Sequence, residues 1–188
     1  MIAMTGQKLR NIFVAKYLPI LKRMGGVKVE EQTEEEKYWN SRENGGNYTT
    51  KDYEFIIKLP INEYTVLFRD THWDDGETRS WVFVTTLGLW EAPQKMESED
   101  WRKFYGRLNF LISRILADMV VHNFRDARSH RERVTLPNGV VISFKFTLSK
   151  LHILHNTESG ELTDIPIDLP KEGDIIEALT KALSFFLL

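Results

Sequence analysis

Residues 97–124, ESEDWRKFYGRLNFLISRILADMVVHNF, decide the fold, because they read as one long amphipathic helix set between two groups of strands. Glu97, Glu99 and Asp100 occupy the opening turn, where the partial positive charge of a helix N-terminus favours acids. Trp101, Phe104, Tyr105, Leu108, Leu111, Ile112, Ile115, Leu116, Met119 and Val120 then recur at three- and four-residue spacings as a wide apolar stripe. At a rise of about 1.5 Å per residue, roughly 28 residues extend about 40 Å, enough to cross a sheet.

Strand patterning flanks this helix on both sides. Tyr53, Phe55 and Ile57 alternate with charged neighbours until Leu59-Pro60-Ile61-Asn62 ends the run. Tyr64, Val66 and Phe68 alternate up to Asp70, and Asp75-Gly76 supplies hairpin chemistry. A third strand, Trp81 to Leu87, is apolar at both parities, which predicts cover on both faces. After the helix, Val134-Thr135-Leu136, Pro137-Asn138-Gly139 and Val140 to Leu148 form the strongest hairpin signal in the chain. Short strands over 151–154 and 162–167 follow, and a closing helix runs from Ile175 to about Phe186. The fold class is therefore α+β: antiparallel β-meanders, a long central helix, and N- and C-terminal helices packed on the sheet, in one domain over 1–188.

Bulk numbers fit that reading. A chain of 188 residues with 42% hydrophobic and 28% charged content can bury a core without staples. It contains no cysteine, which excludes a disulfide framework, a cysteine nucleophile and thiolate zinc sites. That composition suits the cytoplasm or another reducing intracellular compartment. No apolar run reaches the length of about 18 residues that a transmembrane helix needs.

Charge is unevenly distributed. Residues 1–29 hold Lys8, Arg10, Lys16, Lys22, Arg23 and Lys28 and no acid, leaving nineteen of the 25 basic residues against all 27 acidic ones. The same stretch reads as a basic amphipathic helical arm. Thr5 caps it, Leu9, Ile12, Phe13, Tyr17, Ile20, Leu21 and Met24 line one side, and Gly25-Gly26 stops it. Pro19 falls inside the pattern and should kink or divide the helix. The arm resembles a mitochondrial transit segment in being cationic and acid-free, yet it has two Arg and no Ser where such segments are rich in both. An acidic, helix-compatible piece from Glu30 follows, and residues 40–51, rich in Asn and Gly, read as a flexible loop.

Candidate chemistry is sparse. Asp70-Thr71-His72 at a strand end resembles the first metal-binding motif of calcineurin-like phosphoesterases, which implies a hydrolase holding divalent ions through Asp70, His72 and Asp74. The resemblance covers three residues. The rest of that family's pattern is missing, and the flanking residues read as a hairpin, so solvated turn residues are the simpler reading. His152 and His155 are three apart and, on a strand, point to opposite faces, so they cannot chelate one ion. No nucleophile elbow or glycine-rich phosphate loop occurs, and no cofactor is expected.

Arg125, Arg128, Arg131 and Arg133 form a second basic segment that could contact phosphates, although cations at a helix C-terminus have a structural reason to be there. Trp39 and Trp73 sit among polar residues and read as exposed interface anchors, and Phe185 and Phe186 lie in an apolar C-terminal tail that needs cover. The ranking that follows places first a non-catalytic binding or assembly protein, with a protein partner or a second copy docking on Lys8, Arg10, Lys16, Lys22, Arg23, Trp39, Trp73, Phe185 and Phe186. A nucleic-acid-binding protein using the basic arm with the four arginines is second, and the metal-dependent hydrolase third.

Overall fold

The computed structural model describes residues 3–32, 35–41, 46–60, 62–126, 133–135, 139–146, 150–156, 162–168 and 175–184. The chain is α+β and divides into two compact units, one formed by Met1–Lys22 with Val27–Leu108, the other by Arg23–Gly26 with Asn109–Leu188.

The first unit begins with α1 (Gly6–Lys16) and α2 (Leu18–Arg23). Pro19 divides the expected helix: α1 ends at Tyr17, and Pro19 takes a place in the first turn of α2, where its missing N–H is not needed. Gly26, at φ +82°, completes the stop. The sheet contains β1 (Lys28–Glu31), β2 (Glu35–Ser41), β3 (Gly46–Lys58), β4 (Glu63–Trp73), β5 (Thr78–Val84) and β6 (Gly88–Ala92), all antiparallel, in the order β1-β3-β4-β5-β6 with β2 also on β3. Three of these strands depart from the sequence reading. The acidic piece after Glu30 is strand because it lies in β1 and β2 along one edge of β3, and residues 46–51 of the expected 40–51 loop are the first part of β3 itself, paired with β2 on one side and β4 on the other. The third expected strand ends at Val84, and the chain turns through Thr86, at φ 76°, and Gly88, at φ 75°, into β6.

β1 and β2 act as two segments of one edge. Glu31 pairs with Phe55 and Glu35 with Asp52, so both segments take the same edge of β3. Gln32 N bonds Glu54 O at 2.9 Å between them.

Alternation sorts the sheet into two faces. Tyr53, Phe55 and Ile57 of β3, Tyr64, Val66 and Phe68 of β4, and Val82 and Val84 of β5 are buried on one side. Leu9 and Phe13 of α1 are buried there too, with the Phe13 ring 5.0 Å from Phe55 and 5.7 Å from Phe68. α3 (Ser98–Asp126) meets the same face through Phe104, whose ring stacks 6.5 Å from Trp90. Lys16 of α1 reaches Tyr105 of α3. A Cβ on Gly6 would sit 3.0 Å from the Arg69 backbone, so only glycine lets α1 approach β4 this closely.

In the second unit, β7 (Arg133–Thr135), β8 (Val141–Phe146), β9 (Lys150–Asn156) and β10 (Leu162–Asp168) form an antiparallel sheet in the order β10-β9-β8-β7. The hairpin expected around Gly139 is realised with Thr135 opposite Val141. Leu111, Ile112, Ile115, Leu116 and Met119 of α3, Ile142, Phe144, Leu151 and Ile153 of the sheet, and Leu179 and Leu183 of α4 (Ile175–Ser184) are buried.

Candidate functional site

The Asp70, His72, Asp74 set is taken up by the start of α1 and by the β4–β5 turn. Asp70 is buried, and its Oδ1 accepts from Gly6 N and from Ser80 Oγ, each at 2.7 Å, while Oδ2 accepts from Gln7 N at 3.3 Å. Thr5 Oγ1 takes Lys8 N at 3.2 Å. Three of the four orphan donors of the helix are thereby satisfied. α1 has no acid in its own first turn, so the negative charge its N-terminus favours arrives from β4. His72 is exposed, with Nδ1 3.1 Å from Thr78 Oγ1, and Asp74 is exposed beyond the end of β4. Among the described residues, no group of three or more His, Cys, Asp or Glu is placed to hold a metal ion. His152 pairs with Asp164 at 2.9 Å, on the face of β9 opposite to His155.

The basic arm is partly neutralised within the chain. Arg10 donates to Glu31 and lies over the rings of Tyr53 and Phe55, 5.9 and 5.7 Å from their centroids. Lys16 Nζ sits 4.8 Å above the Tyr105 ring and donates to its hydroxyl at 3.3 Å. Glu30 accepts from Lys58 at 2.9 Å. Lys8 donates to the Ala3 carbonyl, and Lys22 and Arg23 are exposed. Burial pushes the Tyr17 phenol well above the usual range, with Tyr105 adding to the shift. Tyr53 is raised by burial and then by Asp70, with Arg10 pulling the other way.

The second face of the six-stranded sheet carries a different surface. Leu67, Phe83 and Leu89 form one cross-strand row, and Arg69, Trp81 and Glu91 the next. Phe83 and Trp81 are half-buried and Leu89 is 53% exposed, so the both-sided cover expected for this strand is not met: the helices of this unit lie on the other face. Charges on this face largely cancel. Arg69 donates to both oxygens of Asp52, at 2.6 Å each, and those bonds hold its guanidinium above its usual pKa against the effect of burial. Arg79 bonds Glu77 at 2.8 Å and reaches Glu91 at 3.8 Å.

At the far end of this face the structure brings together the two tryptophans that the sequence marks separately. Trp39, Tyr48 and Trp73 occupy one row across β2, β3 and β4. The Trp39 and Tyr48 rings stack at 6.3 Å and 17°, and Tyr48 meets Trp73 at 4.5 Å and 45°. Trp39 Nε1 donates to Thr50 Oγ1 at 3.0 Å, which fixes the indole although the residue is 46% exposed. Tyr48 is the member the sequence did not single out; its signal is the Tyr48, Thr50, Asp52 alternation hidden inside a polar stretch. Beyond Trp73, a cleft of about 770 Å³ is bounded by Gly46, Asn47, Trp73, Asp74, Asp75, Glu77 and Arg79.

Of the remaining candidates, Arg125 lies in the last turn of α3 and Arg133 in β7, while Arg128, Arg131, Phe185 and Phe186 fall outside the described residues. Among the described residues, no helix is long and apolar enough to cross a membrane. No protein-family model matches the chain, and no curated protein matches its sequence.

Proposed function

We propose that this protein is a non-catalytic assembly module that pairs with a second copy of itself through the second face of the six-stranded sheet. The observation that carries the reading is the row Leu67, Phe83 and Leu89, with Trp81 beside it, on a face that the unit's own helices leave uncovered. Fully burying one such side chain contributes about 1.5–3 kcal/mol, so the row is a large apolar surface to leave half in water. The face spans five strand positions, roughly 24 Å across and about 20 Å deep, of the order that a small dimer interface occupies.

A second copy fits the charge pattern better than a polyanion. Asp52 is matched by Arg69, and Arg79 by Glu77 and Glu91, so the face has no strong field of one sign. Two identical faces can then meet about a twofold axis without like charges opposing across the whole contact. The two other surfaces are less suited. The β1–β2 edge carries Glu30, Glu31 and Glu36, which discourage edge-to-edge pairing, and the basic arm has Arg10 and Lys16 already engaged.

The test is sedimentation velocity on the full chain and on Phe83→Glu and Leu89→Glu. The parent should sediment as a dimer at tens of micromolar, and both variants as monomers with unchanged far-ultraviolet circular dichroism. A parent that remains monomeric at about 100 µM overturns the reading.

A further inference from the structure

The cleft beyond Trp73 has chemistry that pairing of the apolar row does not use. One wall is the indole of Trp73, itself in contact with Tyr48 at 4.5 Å. Its described lining holds three carboxylates, Asp74, Asp75 and Glu77, and one guanidinium, Arg79. That guanidinium is already occupied: Glu77 holds it at 2.8 Å, and Glu91 lies at 3.8 Å. Asp75 is part of the turn, its Oδ1 accepting from Glu77 N at 2.9 Å. Among the described residues the carboxylate of Asp74 has no hydrogen bond or ion pair, so the described lining presents an aromatic plane beside an unpaired carboxylate.

We infer that this cleft binds an arginine side chain carried by a partner protein. A guanidinium is planar, stacks on an indole and donates two parallel hydrogen bonds to a carboxylate. An ammonium uses the charge but not the plane, and a neutral or anionic side chain meets a wall of like or unpaired charge. The turn is built to keep this shape. Gly76 sits at φ +90° and donates to the Trp73 carbonyl at 2.9 Å, while Trp73 N donates to Glu77 O at 2.8 Å, so Trp73 and Asp74 are presented from a closed hairpin end. Asp74 N donates to Asn47 O at 3.1 Å, which ties the turn to β3. The Trp39 ring extends the aromatic row and gives residues flanking the arginine a surface to lie on. The site shares Glu77 and Arg79 with the charge pairs of the second sheet face but uses none of Leu67, Phe83 and Leu89.

The experiment titrates the isotope-labelled full chain with a capped pentapeptide holding one central arginine among glycines, and with the same peptide carrying citrulline, which keeps the shape and removes the charge. The indole N–H resonance of Trp73 is the readout, assigned by its loss in Trp73→Leu. The arginine peptide should shift it saturably, and the citrulline peptide should bind at least about tenfold more weakly. Asp74→Asn, an exposed change at a carboxylate unpaired among the described residues, should weaken the arginine peptide by about three- to tenfold. Equal response to both peptides, no effect of Asp74→Asn, or no shift by about 10 mM peptide would each overturn the inference. The same titration on Phe83→Glu separates the two proposals, because the cleft should bind as in the parent whether or not that variant dimerises.

Discussion

Asp70 closes a helix that its own sequence leaves without an acid, and the consequence can be measured. Its two oxygens serve Gly6 N, Gln7 N and Ser80 Oγ in a buried setting. Removing them leaves the buried Gly6 N–H without its acceptor and takes one acceptor each from the part-buried Gln7 N–H and from the Ser80 hydroxyl. Asp70→Ala should therefore cost about 2–4 kcal/mol of unfolding free energy, and Asp70→Asn, which keeps one acceptor, about half as much. Urea denaturation checks this, and a loss in Asp70→Ala below about 0.5 kcal/mol would show that the bonds do not hold α1. The same residue explains why a metal reading was available from sequence. A carboxylate at a strand end looks alike whether its partners are ions or N–H groups. The two helix donors lie 64 and 63 residues away in the chain, where no local pattern reaches. Trp39 and Trp73, by contrast, read from the sequence as exposed, because large rings among polar neighbours rarely have a core to enter; Trp39 is exposed and Trp73 half-buried. Their common row was not legible, since it depends on the register of β3 against both neighbours.

Elements with a strong period were readable and those defined by a neighbour were not. The stripe of α3, the Asp75-Gly76 turn and the hairpin at Gly139 carry their own signals, and each occurs where the pattern places it. β2 has no such signal. Glu35, Glu36 and Lys37 have low strand propensity, and the segment is extended because β3 offers it an edge. Two contacts anchor it there, the stacking of Trp39 on Tyr48 and the indole bond to Thr50. β6 was missed for the opposite reason: the apolar run through Val82 to Leu87 hides a turn that opens on a positive-φ threonine, Thr86, two residues before Gly88. Trp39→Ala tests how β2 is held. Amide exchange over Lys37–Asn40 should accelerate by about ten- to a hundredfold while the amides of β4 keep their protection. Equal acceleration in β4 would mean that β2 belongs to the cooperative core and is not a locally anchored edge.

For the whole molecule, the segregation of charge along the sequence is the property most changed by folding. Read linearly, residues 1–29 are a polycation. In three dimensions Arg10 meets Glu31, Lys16 lies on Tyr105, and Lys28 falls on the far face of the sheet from α1. Lys8, Lys22 and Arg23 are then the cations of the arm left to meet an external anion. Three phosphate contacts give a slope of about −2.7 for the logarithm of duplex affinity against the logarithm of salt concentration. Addition of Arg125, Arg128, Arg131 and Arg133 would bring the contacts to seven and the slope to about −6. An assembly module with a compensated arm should show a slope no steeper than about −3 and dissociation constants weaker than about 10 µM near physiological salt, in the range of non-specific attraction. Fluorescence anisotropy of a labelled duplex across 50–200 mM salt, a window of roughly the usual span, measures both quantities. A slope steeper than about −4 would require more cations on one face than the arm leaves free. That outcome would call for cations beyond those of the arm and raise the nucleic-acid reading above self-assembly.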